Sequence, residues 1–127
     1  CPLRTSHDTQ AAYDHFCLSS KASSQISSFQ FGWMNPWWAA EINDDSKPKW
    51  LFPEALKTRS QDLPNLYCPS GAIWLAKRES LLLGRSFYSQ QTSLFSIPWI
   101  SALDIDDQED FRMAEICLAQ RMNNVII

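Results

Sequence analysis

The spacing of apolar residues in the N-terminal half predicts one helix followed by strands. Apolar side chains recur at helical spacing over residues 7–19, and Thr5 stands before them as a candidate N-cap. Residues 23–31 place an isoleucine among serines and then alternate phenylalanine with glutamine, which predicts a strand. Residues 38–42 and 48–52 flank a polar turn and predict a hairpin.

The C-terminal half continues the alternation. Apolar runs predict strands over residues 71–76, 94–99 and 102–105, and residues 77–83 suit a short helix. Asp107 is a candidate cap for an amphipathic last helix that carries acidic residues in its first turn. Strands that alternate with helices indicate an α/β fold.

The predicted hairpin is unusually aromatic, because four of the six tryptophans lie within residues 33–50. Two interpretations remain open for this segment. It is either an edge of the core or a protruding arm that buries its aromatic rings in a partner subunit.

Composition narrows the function class. A hydrophobic fraction of 45% is that of a globular protein, and 127 residues fit one domain or part of one. The net charge of -3 and the dispersed Lys and Arg residues argue against nucleic-acid binding and a basic membrane anchor. No apolar run is long enough for a membrane span. The four cysteines are far apart and form no zinc-type cluster, so we expect reduced thiols in a cytoplasmic protein.

Asp104 and Asp106 are the strongest candidates for chemistry. On a strand these two carboxylates would point to the same face, with Leu103 and Ile105 directed into the core. Adjacent carboxylates repel each other unless a cation lies between them, and Mg²⁺ binds one or two carboxylates together with phosphates and water. The alternative is that both acids only decorate the start of the last helix.

Other candidates are weaker on the sequence alone. Arg59 either pairs with an anionic ligand or is an ordinary solvated loop residue. Trp74, Phe87 and Tyr88 either line a pocket or belong to the core. We interpret the two histidines as structural or solvated, and Cys68 has no basic neighbour in sequence that would make it a nucleophile.

The order of four motifs resembles the CMP-sialic acid synthetases (acylneuraminate cytidylyltransferases). Residues 1–5 resemble the end of the family's QPTSPLRT segment, and residues 59–64 resemble its RRQDLP loop. Residues 69–74 resemble its NGAIY strand, and residues 103–115 resemble its DIDxxEDxxxAE ending. The resemblance covers nearly the whole chain and depends on the order of the motifs, since each alone is weakly specific.

The resemblance implies a fold and a reaction. It implies that residues 1–127 are the C-terminal part of a three-layer, Rossmann-like nucleotidyltransferase domain. Residues of about 30–60 would form the dimerisation arm and the sugar-binding loop of a homodimer. CTP and a nine-carbon sugar acid would give a CMP-sugar and pyrophosphate. The loop that grips the CTP phosphates would lie before residue 1, so the isolated chain is expected to be inactive.

The resemblance also assigns roles to residues. Asp104 and Asp106 would be the catalytic pair and would hold Mg²⁺ or Mn²⁺. The substrate-binding residues that it implies are Arg4, Arg59, Gln61, Trp74, Phe87 and Tyr88. The three aromatic residues among them would form a wall near the N-acyl group of the sugar.

Three positions depart from the family pattern, namely Trp38, Ser60 and Cys68, where members often carry a basic residue. These departures leave Arg59 and Gln61 as the candidates for binding a sugar carboxylate. Legionaminic acid is then as compatible with the chain as sialic acid, and a Kdo-like acid is a third possibility. The alternative function is a non-catalytic fragment that only dimerises or binds sugar.

Overall fold

The computed structural model describes residues 1–124 and confirms the α/β class. The chain divides into two compact units. We call Cys1–Phe29 with Pro69–Ile127 the sheet unit, and Gln30–Cys68 the hairpin unit. The helices and strands, in chain order, are α1 Ser6–Leu18, β1 Ser24–Gln30, β2 Ala40–Ile42, β3 Pro48–Trp50, β4 Tyr67–Ala76, α2 Arg78–Gly84, β5 Thr92–Ser96, α3 Trp99–Ala102 and α4 Gln108–Asn124.

Three strands form the sheet in the order β4-β1-β5, so β1 is central. β1 and β5 are parallel, and their register pairs Ser24 with Thr92. Two contacts show that β4 runs antiparallel to β1. Lys77, after the end of β4, donates its backbone N–H to Ser23 O before the start of β1, and the Ser70 and Ser27 hydroxyls meet at 2.7 Å further along the two strands.

The central strand β1 is polar in sequence yet buried over its first five residues. The side chains of Ser24, Gln25 and Ser27 hydrogen-bond to neighbouring elements, whereas the buried Ser28 hydroxyl has no partner among the described residues. Gln25 Nε2 donates to Ala12 O at 2.7 Å, and Gln25 Oε1 lies 2.6 Å from His15 Nδ1. Ser27 Oγ also accepts the backbone N–H of Ile73 at 2.9 Å. Hydrogen bonding of this kind is what allows polar groups to be buried without a large loss of stability.

Small apolar residues form the core of the sheet unit and bring α1 and the α3 segment close to the sheet. The buried members are Ala12, Ala72, Ile73, Ile97 and Ala102. Helix α1 begins with a capping box in which Thr5 and Asp8 exchange hydrogen bonds, as the polar residues before it indicated. Among the described helices, none combines the length and apolar character that a membrane span requires.

The predicted strand over residues 102–105 is wrong. β5 ends at Ser96, and Pro98 starts the short helix α3, whose end at Ala102 replaces the start of that strand. Proline suits this N-cap position because its fixed φ, here -55°, is compatible with the helix that follows and the N–H that it lacks would have no partner within the helix. Residues 103–106 are irregular, and Ile105 is exposed rather than directed into the core.

The hairpin unit confirms the predicted hairpin with shorter strands. β2 and β3 are antiparallel, and Ala40 pairs with Trp50. Asn43 Oδ1 accepts the backbone N–H of Lys47 at 2.8 Å and closes the turn, in which Ser46 has a left-handed φ of 58°. Short 3-10 helices flank the hairpin at Pro36–Trp38, Pro53–Lys57 and Ser60–Asp62.

Candidate functional site

Three of the four motifs meet in the sheet unit. The guanidinium Nη1 of Arg4 donates a hydrogen bond to Ala72 O on strand β4. At the neighbouring Gly71, a Cβ atom would lie 3.5 Å from Asp104 Oδ2, which is an ordinary contact distance. Arg4 and Asp104 are therefore both held at the middle of β4, although they are a hundred residues apart in sequence. Asp104 is thus a neighbour of Gly71, and the space there would admit a Cβ atom.

Asp104 has one engaged carboxylate oxygen and one directed to Gly71. Its Oδ1 accepts the backbone N–H of Ile105 at 3.2 Å and lies 3.2 Å from the backbone nitrogen of Cys1. The Asp104 side chain is 59% exposed, so a ligand in solution can reach it. Asp104 is thus positioned by backbone contacts but is not buried.

The acids after Asp104 divide into two groups. Asp107 Oδ1 accepts the backbone N–H groups of Glu109 and Asp110 at 2.7 and 3.0 Å, which confirms Asp107 as the cap of α4. Asp110 Oδ2 in turn accepts the backbone N–H groups of Asp106 and Asp107 at 3.1 and 3.2 Å. Asp107 and Asp110 therefore serve the helix terminus. The Asp106 backbone is fixed by this cap, and its side chain is exposed.

The structure removes the strand geometry on which the metal prediction was based, but the carboxylates of Asp104 and Asp106 remain available as ligands. Asp104 and Asp106 do not share a strand face, because residues 103–106 form no strand. Within residues 1–124, no cluster of three or more His, Cys, Asp or Glu side chains is arranged to hold a metal ion. Two exposed carboxylates fit the needs of Mg²⁺, which takes one or two protein carboxylates and completes its shell with phosphates and water. They do not form a closed structural metal site.

The predicted aromatic residues come together. The Trp74 ring contacts the Phe87 ring at 5.1 Å and the Tyr88 ring at 5.6 Å between centroids, both edge-on. Trp74 Nε1 donates to Ser70 O at 2.7 Å, which fixes the indole on β4. Trp74 and Tyr88 remain 38% and 62% exposed, so the three rings form an open wall rather than core. We call Trp74, Phe87 and Tyr88 the aromatic cluster.

A hydroxyl-rich pocket of about 420 Å³ adjoins Tyr88, and the sequence reasoning did not find it. None of its lining side chains carries a formal charge, so it suits a neutral polar group. The lining residues are Ser23, Ser24, Ala76, Ser80, Leu81, Gly84, Ser86, Tyr88, Ser89, Gln90 and Gln91. The serine and glutamine run over residues 86–91 was the available signal, but such runs are common in loops.

A buried polar network links the segments that carry Arg4 and Asp104. Arg121 on α4 donates to Leu3 O at 2.5 Å and to Ser101 Oγ at 3.3 Å. Burial acts to raise the pKa of the Asp8 carboxyl. Hydrogen bonds from Thr5 and Ser101 and the positive charge of Arg121 outweigh burial, so the pKa of Asp8 lies below its ordinary value of 3.8. The amphipathic pattern of α4 in the sequence does not indicate this contact of Arg121.

Arg59 and Gln61 lie in the hairpin unit, on and beside the 3-10 turn Ser60–Asp62. Arg59 Nε donates to Asp62 Oδ2 at 2.8 Å, and both side chains are exposed. Gln61 is exposed and accepts a hydrogen bond from Ser60 Oγ at 3.4 Å. The Arg59 guanidinium is accessible to a ligand, but it is already paired with the Asp62 carboxylate of the same turn.

None of the four cysteines, all at positions that the structure describes, is in a disulfide bond. Cys1 Sγ contacts Ala102 O at 3.5 Å and lies 3.8 Å from Asp104 Oδ1, while Cys117 is buried on α4.

Comparison with curated proteins finds several relatives of this chain. The N-acylneuraminate cytidylyltransferase of Streptococcus agalactiae serotype V is 28% identical over 110 residues, which are 87% of this chain and 26% of that protein. The Post-translational flagellin modification protein B of Campylobacter coli is 26% identical over 121 residues, which are 94% of this chain and 50% of that protein. The CMP-N,N'-diacetyllegionaminic acid synthase of Campylobacter jejuni is 32% identical over 62 residues, which are 49% of this chain and 26% of that protein.

These matches support a relationship between this chain and the CMP-sialic acid synthetase family, in agreement with the motif order. No protein-family model matches the chain. The chain spans 26% of the length of the streptococcal relatives and 50% of the length of the Campylobacter coli relative.

Proposed function

We propose that this chain is the C-terminal part of a cytidylyltransferase that couples CTP to a nonulosonic, sialic-type sugar acid. The observation that carries the proposal is the meeting of Arg4, Gly71 and Asp104 at β4, since three separate motifs of the family pattern converge there. The names of the relatives support the same reaction class. In the proposed whole protein these residues belong to a three-layer, Rossmann-like domain, and other residues bind the CTP phosphates and cytosine.

The proposed reaction forms one bond and breaks one. The anomeric hydroxyl oxygen of the sugar acid attacks the α-phosphorus of CTP and loses its proton, and pyrophosphate leaves as the α–β phosphoanhydride bond breaks. Asp104 and Asp106 would hold Mg²⁺ or Mn²⁺, whose bound charge would neutralise the phosphates and favour ionisation of the attacking hydroxyl. The open exposure of both carboxylates leaves room for the two substrates.

The remaining candidates have distinct tasks in this proposal. Arg4 uses one Nη on Ala72 O and keeps other N–H donors for an anionic substrate group. The aromatic cluster offers an apolar wall for the acyl substituent of the sugar. Arg59 and Gln61 are the candidates for the sugar carboxylate, which requires Arg59 to exchange its bond with Asp62 for a substrate bond.

The test is pyrophosphate release by the full-length protein with CTP, Mg²⁺ and a panel of sialic, legionaminic and Kdo-type acids. We expect turnover with a nonulosonic acid. Asp104→Asn should lower turnover by about 100-fold or more, because charge stabilisation of several kcal/mol is lost. Its melting temperature should stay close to that of the wild type, because the side chain is exposed. The matched control is Asp44→Asn in the hairpin turn, which should keep full activity.

A second candidate function is a non-catalytic module that dimerises or binds sugar. The exposed Trp33, Met34 and Ile42 of the hairpin unit favour it, since large exposed apolar side chains suit a partner surface. Full-length protein that dimerises at micromolar concentration but releases no pyrophosphate with any acid of the panel would establish this function instead. A cytoplasmic homodimer in which the hairpin unit is the dimerisation arm is compatible with either function.

A further inference from the structure

Two hydroxyls converge on the backbone of the aromatic cluster. Ser24 and Thr92 are register partners at the starts of β1 and β5, and their hydroxyl oxygens lie 2.9 Å apart. The carbonyl oxygen of Phe87 lies 2.6 Å from Ser24 Oγ and 2.7 Å from Thr92 Oγ1. Ser24 is 3% exposed and all three contacts are partly buried, so competition from water for the carbonyl is reduced.

The number of protons makes the two hydroxyls interchangeable. The three oxygens make three mutual contacts, but the carbonyl only accepts and the hydroxyls of Ser24 and Thr92 supply one proton each. At any moment one of the three contacts therefore carries no proton. If either hydroxyl is removed, the other still donates to Phe87 O, so the carbonyl loses both donors only when both are removed.

The same network fixes the chain on the far side of Tyr88. Ser89 donates its backbone N–H to Thr92 Oγ1 at 2.7 Å, and its hydroxyl lies 3.0 Å from Ser23 Oγ. Tyr88 is therefore flanked by two anchored residues, Phe87 and Ser89. The Tyr88 side chain is largely exposed, so burial does not determine where its ring lies. The backbone on either side of Tyr88, held by these hydrogen bonds, limits where the ring can lie.

We propose that Ser24 and Thr92 are positioning residues that hold Phe87 and Tyr88 against Trp74 and so determine which substituent of a sugar acid fits the aromatic cluster. The inference rests on the proposed function of that cluster. It predicts selectivity at the acyl substituent and no role in binding CTP, because neither hydroxyl contacts Arg4 or Asp104 through any described hydrogen bond.

The kinetic test uses the full-length protein with Ser24→Ala, Thr92→Val and the double variant. Each single variant should raise KM for the sugar acid by less than about 1.5-fold, because the remaining hydroxyl still donates to Phe87 O. The double variant should raise it by about 5- to 10-fold, as expected for the loss of one net hydrogen bond. KM for CTP should not change. In the Ser24→Ala background, Thr92→Ser in place of Thr92→Val should return KM to the value of Ser24→Ala alone, because serine keeps the second hydroxyl.

The control is Ser93→Ala, since Ser93 Oγ donates to the Ser24 carbonyl at 3.3 Å and not to Phe87. It should leave both KM values unchanged. Additive effects of the two single variants, an equal rise in KM for CTP, or a failure of Thr92→Ser to rescue would each overturn the inference.

A second measurement does not depend on activity. With 5-fluorotryptophan in place of the six tryptophans, the Trp74 fluorine resonance can be assigned by its loss in Trp74→Phe. The double variant should shift or broaden the Trp74 resonance and leave the resonances of the hairpin-unit tryptophans unchanged. If the wild type turns over no sugar acid, the proposed function fails while this spectrum still tests the positioning role. An unchanged Trp74 resonance in the double variant would overturn it.

Discussion

The sheet unit and the hairpin unit are stabilised in different ways. All eight buried polar or charged residues among residues 1–124 belong to the sheet unit, where all but Ser28 hydrogen-bond through their side chains to other side chains or to the backbone. In the hairpin unit, all of whose residues are described, Ala55 is the one buried residue. Four ion pairs between exposed side chains join its turns and strands instead.

This difference indicates where substitutions matter. A buried, satisfied polar network loses the desolvation free energy of every group left without its partner, whereas an exposed ion pair contributes at most about 1 kcal/mol. The sheet unit should therefore be sensitive at single atoms. The hairpin unit should be tolerant as a monomer, and its exposed apolar residues Trp33, Met34 and Ile42 are available to a partner chain.

Replacing an isoleucine by alanine should lower the free energy of unfolding far more in the sheet unit than in the hairpin unit, and this is the largest difference that we expect. Ile26→Ala removes a fully buried side chain from the central strand and should lower the free energy of unfolding by about 2–5 kcal/mol. Ile42→Ala, at a position that is 79% exposed, should change it by less than about 0.5 kcal/mol. Urea denaturation at low protein concentration measures both values. Equal losses would contradict the comparison, and a loss at Ile42 only at high concentration would support the proposed dimer.

Asp8→Asn tests the buried network through pH. The lowered pKa of Asp8 means that its charge stabilises the fold above the unfolded value near 3.8, and that this contribution is lost as the pH falls through the lower folded value. The variant should be about 1–3 kcal/mol less stable than the wild type at pH 7, because hydrogen bonds to a charged acceptor are weakened. The difference should shrink in strongly acidic solution.

Denaturation midpoints over a pH series measure this convergence. The control is Asp14→Asn on the same helix, which is exposed and accepts a hydrogen bond only from Gln10 in the described contacts. A difference between Asp8→Asn and the wild type that stays constant down to the lowest pH would show that the Asp8 charge is not responsible.

Trp37→Phe probes the aromatic contact that holds the hairpin unit together. Trp37 packs edge-on against Phe52 with 5.1 Å between ring centroids, and its Nε1 donates to Pro64 O at 2.8 Å. Phenylalanine keeps most of the packing and removes the donor, so we expect a loss of about 1 kcal/mol. Trp33→Phe is the matched control, because Trp33 is 87% exposed and should be neutral. Tryptophan fluorescence during urea unfolding measures both.

Local patterns in the sequence predicted most elements but not the loop that carries the candidate metal ligands. The alternation of Leu103, Asp104, Ile105 and Asp106 is that of a strand, and only the helical turn started by Pro98 shows why no strand forms. The grouping of Trp74, Phe87 and Tyr88 followed from the family resemblance and not from spacing, and the proximity of Arg4 to Asp104 was not predicted, because these contacts join distant parts of the chain.

The polar contacts within the fold were beyond sequence reasoning. The pairing of Ser24 with Thr92 depends on strand register, and the contact of Arg121 with Leu3 depends on how α4 packs. Serines and a surface-type arginine carry no local signal for such partners. The roles of Asp104, Asp106 and Arg59 in catalysis and binding stay predictions that the proposed assays test.

Asp62→Asn should have the smallest effect on stability and a clear effect on Arg59. The Arg59–Asp62 pair is short at 2.8 Å, but the side chains are 75% and 47% exposed, so solvent weakens it. We expect a change in unfolding free energy below about 0.5 kcal/mol. If Arg59 binds the sugar carboxylate, loss of its competing partner should lower KM for the sugar acid, whereas Arg59→Lys should raise it because the ammonium cannot bind a carboxylate in two-point fashion. Lys49→Gln, which breaks the exposed Lys49–Glu41 pair, is the control and should leave KM unchanged.

Identical KM values for Asp62→Asn and the wild type would have two explanations. Either the Arg59–Asp62 pair persists when the sugar acid is bound, or Arg59 does not contact the substrate. Arg59→Lys separates them, because its KM for the sugar acid equals that of the wild type only if Arg59 makes no contact with the substrate.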